Sequence, residues 1–110
     1  MNSILNSIKK LIGISEEDKN FDADLIMHIN SVFGILRQMG VGPPEGFSIE
    51  DETATWEDFG LEDPLLSMVR DYMYMKVRLI FDPPQSSALL ESMKQLISEF
   101  EWRAYVEAES

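Results

Sequence analysis

One histidine and one aspartate are the residues of this sequence that come closest to an acid–base pair. His28 follows Asp24 by four residues, and on a helix that spacing places both side chains on one face. Asp–His pairs orient the general base in hydrolases, but the sequence has no serine in a Gly-x-Ser-x-Gly turn to act as nucleophile. We therefore expect His28 to be a helix-surface residue and the protein not to be an enzyme.

Two further stretches have the composition of ligand sites without the required spacing. The acidic run "EDETATWED" begins at Glu50, but an EF-hand calcium loop has glycine at its sixth position, where this run has Thr55. The stretch "GVGPPEG" lacks the Lys-Ser/Thr ending of a phosphate-binding loop. The sequence also has no cysteine, which excludes thiolate ligands and disulfides. We expect no metal and no cofactor.

The charge balance is strongly acidic and uneven. Twenty acidic against nine basic residues give a net charge of −11, which argues against phosphate binding, because nucleic-acid affinity comes mainly from basic side chains. No lysine or arginine lies between Arg37 and Arg70. The acidic residues of that interval are Glu45, Glu50, Asp51, Glu52, Glu57, Asp58, Glu62 and Asp63. Two interpretations are open: a solvated loop, or a negative surface past which DNA slides without binding.

Apolar side chains at helical spacing predict a small, mainly α bundle of about four helices in a single domain spanning residues 1–110. The predicted helices cover about residues 3–12, 22–39, 64–81 and 86–106. Asp22 and Asp63 are expected to cap the second and third helices, and Gly13 to end the first. Neither a secretory signal nor an apolar run of the ~20 residues that a membrane span needs is evident, so we expect a soluble, intracellular protein.

Residues 41–62 separate the second and third predicted helices and have a different character. Phe47, Ile49 and Trp56 are β-type side chains around the polar turn "EDE", which predicts a β-hairpin-like insertion or an extended arm with two short strands. A connection of this length is commonly a binding loop or a subunit contact. Because an isolated hairpin is marginally stable, this insertion needs a surface to lie against.

The last two helices carry more apolar surface than a free monomer needs. The third predicted helix has apolar side chains in nearly every direction, which indicates a central helix that is also shared with a neighbouring subunit. On the fourth, Trp102 and Tyr105 lie off the main apolar stripe. Aromatic residues of this kind are frequent at binding hot spots, so an interface role and ordinary packing both remain open.

A double proline joins these two helices. Asp82 precedes Pro83 and Pro84, and a residue before proline avoids helical dihedral angles, so the third helix is expected to end at Asp82. The following helix is capped either by Asp82, in a capping box, or by Ser86 or Ser87. In each case a stiff corner fixes the angle between the two helices.

In their order along the chain, these segments resemble the head–tail connector, or adaptor, proteins of long-tailed bacteriophages. The resemblance rests on "DADLIMHINSVFGILRQMGVGP", "GFSIEDETATWEDF" and "KVRLIFDPPQSSALLESMKQLISEFEWR", and covers nearly the whole chain. It implies a non-enzymatic helical protomer that forms a ring beneath the portal protein in the virion neck. Such a ring extends the DNA channel and provides a platform for a stopper or tail-completion protein. Assembly is expected in the host cytoplasm.

The resemblance also implies roles for two segments. The portal contact is assigned to the end of the last helix, at Trp102, Arg103, Tyr105 and Val106. Contact with a neighbouring subunit or with the DNA channel is assigned to the insertion, at Phe47, Ile49, Glu50, Asp51, Glu52 and Trp56. DNA is then a transiting cargo without sequence specificity, and no membrane contact is expected.

The rival interpretation is a small acidic regulatory protein, such as a DNA-mimic inhibitor. The net charge of −11 suits it, but a mimic spreads its carboxylates regularly over a helical face. In this sequence the acids gather in a loop, which favours the connector.

Overall fold

The helices of the protein lie close to the predicted positions. The computed structural model describes residues 3–109, apart from the side chains of Tyr105 and of residues 107–109. The helices of this part of the chain are α1 (Ile4–Ile12), α2 (Asp22–Gln38), α3 (Trp56–Phe59), α4 (Leu65–Phe81) and α5 (Ser87–Glu109). The mainly α bundle is confirmed, and α3, a single turn within the insertion, has no counterpart in the sequence prediction.

A buried lysine fixes the connection between α1 and α2. Lys9 is fully buried, and its Nζ donates to Asp22 Oδ1 at 2.8 Å, to Asp18 O at 2.7 Å and to Glu16 O at 3.2 Å. The prediction that Asp22 caps α2 is therefore wrong. Its carboxylate is occupied by Lys9, and the N-cap position is Phe21, without a side-chain cap.

The insertion between α2 and α4 is not a β-hairpin. The described residues form no strand, only an isolated antiparallel bridge between Ser3 and Thr55. The hairpin prediction fails because the backbone of Ile49 pairs with a side chain on α2: its N–H donates to Asn30 Oδ1 at 2.8 Å, and Asn30 Nδ2 donates to its carbonyl at 3.0 Å. Further along, Thr55 and Asp58 form a capping box that starts α3 instead of a second strand.

α4 is the central helix of the bundle, as its wide apolar surface predicts. It packs against α1, α2 and α5. Its fully buried residues are Val69, Tyr72, Met73 and Val77. α5 packs on α4 with Ile97 and Phe100 in the common core, Met93 is buried as well, and much of the rest of its described surface is exposed. Each large apolar side chain buried in this way contributes roughly 1.5–3 kcal/mol relative to an exposed one.

The start of α4 differs from the prediction. The N-cap position is Pro64, which offers no side-chain hydrogen bond to the first turn. Asp63 is not the cap, because its Oδ1 accepts a hydrogen bond from the Ser67 hydroxyl at 2.7 Å. The first turn of α4 therefore has no side-chain cap, and the fully buried residues of the helix begin only at Val69.

The corner between α4 and α5 forms where it is predicted. α4 ends one residue before Asp82, which leaves helical geometry at φ −153°. Pro84 is buried, whereas Asp82 and Pro83 are exposed. Ser86 Oγ accepts a hydrogen bond from the Leu89 N–H at 3.3 Å. Of the alternatives for starting α5, the serine cap is confirmed and the cap by Asp82 is not found.

Candidate interaction site

The one candidate acid–base pair is not assembled. His28 is half-buried and Asp24 is exposed on α2, and across the described residues no hydrogen bond or ion pair joins them. Over the same part of the chain, no group of three or more His, Cys, Asp or Glu side chains could hold a metal ion. No described helix is long and apolar enough to cross a bilayer.

The acidic residues of the insertion are held outward on a structured loop. Glu50, Asp51 and Glu52 are all exposed. The Asp51 carboxylate accepts hydrogen bonds from the Thr53 hydroxyl and from the Thr53 N–H at 2.9 Å. These bonds lower the pKa of Asp51, the side-chain bond being the larger cause. The loop therefore presents negative charge at neutral pH from a defined turn.

The apolar residues of the insertion, which are predicted to contact a neighbouring subunit or the channel, lie against this protomer's own core. Ile49 is 3% and Trp56 2% exposed, and Trp56 Nε1 donates a hydrogen bond to Ser7 Oγ at 2.9 Å. Phe47 is half-buried, with its ring 5.0 Å from that of Phe33. Within the protomer, Ile49 and Trp56 are thus core residues, whereas the acids of residues 50–52 are exposed. Contact of this segment with a neighbouring subunit or the channel stays a prediction.

A tight turn brings the chain after α2 onto the same aromatic cluster. Gly42 has φ +91°, and a Cβ placed on it would lie 2.6 Å from the ring of Phe59. Only glycine fits this position without displacement. Gly42 of "GVGPPEG" thus allows the backbone to pack closely on an aromatic ring.

An apolar groove opens where the chain leaves α2, enters α4 and ends α5. We call it the Trp102 groove. Its principal side chains are Val41, Leu61, Leu65, Met68, Trp102 and Val106. Trp102 is 67% and Val106 44% exposed. The exposure of Trp102 agrees with its position off the apolar stripe of α5. The predicted contact residue Tyr105 lies outside the described side chains, and Arg103 borders the groove.

A polar link that sequence reasoning missed sets α5 on α4 beside this groove. The buried Tyr72 hydroxyl donates to Glu101 Oε2 at 2.7 Å, and Lys76 Nζ lies 3.8 Å from the same oxygen. The Tyr72 ring stacks on Phe100 with 4.4 Å between centroids. Burial raises the pKa of Tyr72, and the adjacent Glu101 raises it further. A tyrosine on an apolar stripe was the available clue, since buried tyrosine hydroxyls usually find partners.

The fold and its exposed groups define a small helical protein with an exposed apolar groove at one end of α5. A family model described as "Phage connector protein" matches residues 4–110, and the chain belongs to that family of phage head–tail connector proteins. It is a structural component of the virion that interacts with other head and tail proteins. Comparison with curated proteins and with solved structures gave no match.

Proposed function

We propose that this protein is a ring-forming connector of the phage neck. Copies of the chain assemble beneath the portal protein, extend the DNA channel and provide the platform for a stopper or tail-completion protein. The protein acts without enzymatic activity, assembles in the host cytoplasm and remains in the neck of the virion.

The exposed Trp102 groove is the observation that carries the portal contact. Trp102 has two-thirds of its surface exposed, yet α5 is held on α4 through the stacked pair Tyr72–Phe100 and the Tyr72–Glu101 hydrogen bond. A large aromatic side chain on a positioned helix is the kind of residue that dominates binding hot spots. Docking at this end of α5 buries the tryptophan without rebuilding the fold.

The acidic loop supports a place at the DNA channel. Glu50, Asp51 and Glu52 are exposed on a loop that the Asn30–Ile49 pairing anchors to α2. Carboxylates repel phosphates over about 10 Å at moderate ionic strength, which lets DNA pass without binding. In this proposal the portal contact and the channel contact use different segments of the protomer.

Light scattering after size-exclusion chromatography tests the proposal, with the chain alone and with the portal protein of the same phage. We expect a ring, or monomers recruited onto portal, and loss of portal recruitment in Trp102→Ala. A monomer that ignores portal and instead inhibits a nucleic-acid-binding enzyme would contradict the proposal and support a DNA mimic. Lys19→Ala is a surface control, because Lys19 is exposed in the α1–α2 connection.

A further inference from the structure

We infer that the Trp102 groove receives an apolar side chain from a partner segment that carries lysine or arginine beside it. This inference rests on the proposed function, because it names the chemistry of the segment that the portal protein presents. The groove supplies the apolar half of the match: Leu65 is 40% and Met68 37% exposed next to Trp102. These side chains leave water only when a partner covers them.

The charges next to the groove indicate the sign of the charge that the partner segment carries. Glu62 and Asp63 are exposed and lie between Leu61 and Pro64, two residues that line the groove. Among the described lining residues the basic side chain is Arg103, which lies 3.3 Å from the Glu99 carboxylate, and this offsets its charge. Of the described charged groups in or next to the lining segments, Glu62 and Asp63 are therefore the ones without a basic partner, within a chain of net charge −11.

An uncompensated acidic rim favours a basic partner, because complementary charges at an interface rim raise the association rate and disfavour partners of like charge. An acidic or neutral apolar segment fills the groove equally well but gains nothing from Glu62 and Asp63.

A second copy of this chain is a poorer occupant. Among the described residues, two exposed apolar side chains have an adjacent exposed cation: Leu11, which is 48% exposed beside Lys10, and Trp102 beside Arg103. The first pair is followed closely by the acids at 16–18, and the charge of Arg103 is offset by Glu99 at 3.3 Å, so neither segment is basic as a whole. Glu16 and Glu17 of such a copy would approach a rim that is already negative.

The test measures binding of the full chain to the portal protein of the same phage by biolayer interferometry, at about 50 mM and about 1 M NaCl, where the Debye length falls to about 3 Å. The rim variant is Glu62→Gln/Asp63→Asn, which keeps an acceptor for the Ser67 hydroxyl. The matched control is Glu16→Gln/Glu17→Gln, an adjacent exposed pair in the α1–α2 connection with the same change in net charge.

We expect the rim variant to weaken binding roughly two- to thirtyfold at low salt, mainly through slower association, and to match wild type at high salt. The control should bind like wild type. Trp102→Ala should weaken binding at least about thirtyfold at both salt concentrations.

The outcomes separate the inference from the proposed function. If Trp102→Ala abolishes portal binding while the rim variant matches the control, the basic partner is refuted and the portal contact stands. If wild type shows no binding to portal, the proposed function itself fails. If the chain alone self-associates and Trp102→Ala or Lys10→Gln abolishes this, the groove belongs to a second copy and the inference is overturned.

Discussion

The pairing of Asn30 with Ile49 makes the sharpest prediction about how the insertion is held. One side chain on α2 replaces the strand that a hairpin would supply, with contacts of 2.8 and 3.0 Å to the two backbone groups of Ile49. Replacing Asn30 with alanine removes both hydrogen bonds at once. Ile49 is 3% exposed, so its freed N–H and carbonyl meet water only if the loop moves.

The expected loss of stability follows from the two lost hydrogen bonds. Each contributes about 0.5–1.5 kcal/mol net, and a buried group left unpaired costs about 1–3 kcal/mol. We expect Asn30→Ala to lower the free energy of unfolding by about 2–4 kcal/mol, which is a large part of the ~5–15 kcal/mol typical of a domain. The urea midpoint should fall by roughly 1–2 M.

Urea unfolding followed by circular dichroism measures this loss, and hydrogen exchange of the Ile49 amide locates it. Ser31→Ala is the neighbouring control: Ser31 is exposed and bonds only within α2 among the described contacts, so its change should stay within about 0.5 kcal/mol. A loss below about 1 kcal/mol in Asn30→Ala, with the Ile49 amide still protected, would refute the account of how the insertion is anchored.

Three further predictions follow from the ion pair, the corner and the acidic loop. Lys9→Ala should lower the free energy of unfolding by about 3–5 kcal/mol, because it leaves a partly buried carboxylate and two carbonyls without their donor. Thermal unfolding of this variant is compared with that of Lys10→Ala, a change at an exposed lysine, and equal melting temperatures would contradict the prediction. Replacing Pro83 and Pro84 with glycine should impair ring or portal assembly more than it lowers monomer stability, compared by light scattering and urea unfolding; equal losses would count against a geometric role for the corner. Lysines at residues 50–52 should slow DNA passage in an ejection assay if these residues line the channel; normal passage would place them elsewhere.

Much of the fold was predictable because its determinants are local. The 3.6-residue spacing of apolar side chains locates α1, α2, α4 and α5, and the Asp82–Pro83–Pro84 corner follows from proline's fixed geometry. The exposure of Trp102 was also predictable, since this residue lies off the apolar stripe through which α5 packs on α4.

The errors arise where distant residues decide the local structure. The backbone groups of Ile49, which a hairpin would pair with a second strand, instead bond to the Asn30 side chain, 19 residues earlier. Nothing in the spacing of the residues shows that an asparagine on a helix will take the place of a strand. Asp22 has the spacing of a helix cap, but its carboxylate accepts from Lys9, 13 residues earlier, whose other two acceptors are the Glu16 and Asp18 carbonyls of the α1–α2 connection. Tyr72 and Glu101 are 29 residues apart, so their bond emerges only once α4 and α5 pack.

The most direct test of the connector role is electron microscopy of the portal protein incubated with this chain. Class averages should show an annular density coaxial with the portal, present with wild type and with Glu16→Gln/Glu17→Gln and missing with Trp102→Ala. Portal particles that stay unchanged by wild type, or that carry density away from the central axis, would contradict a ring beneath the portal.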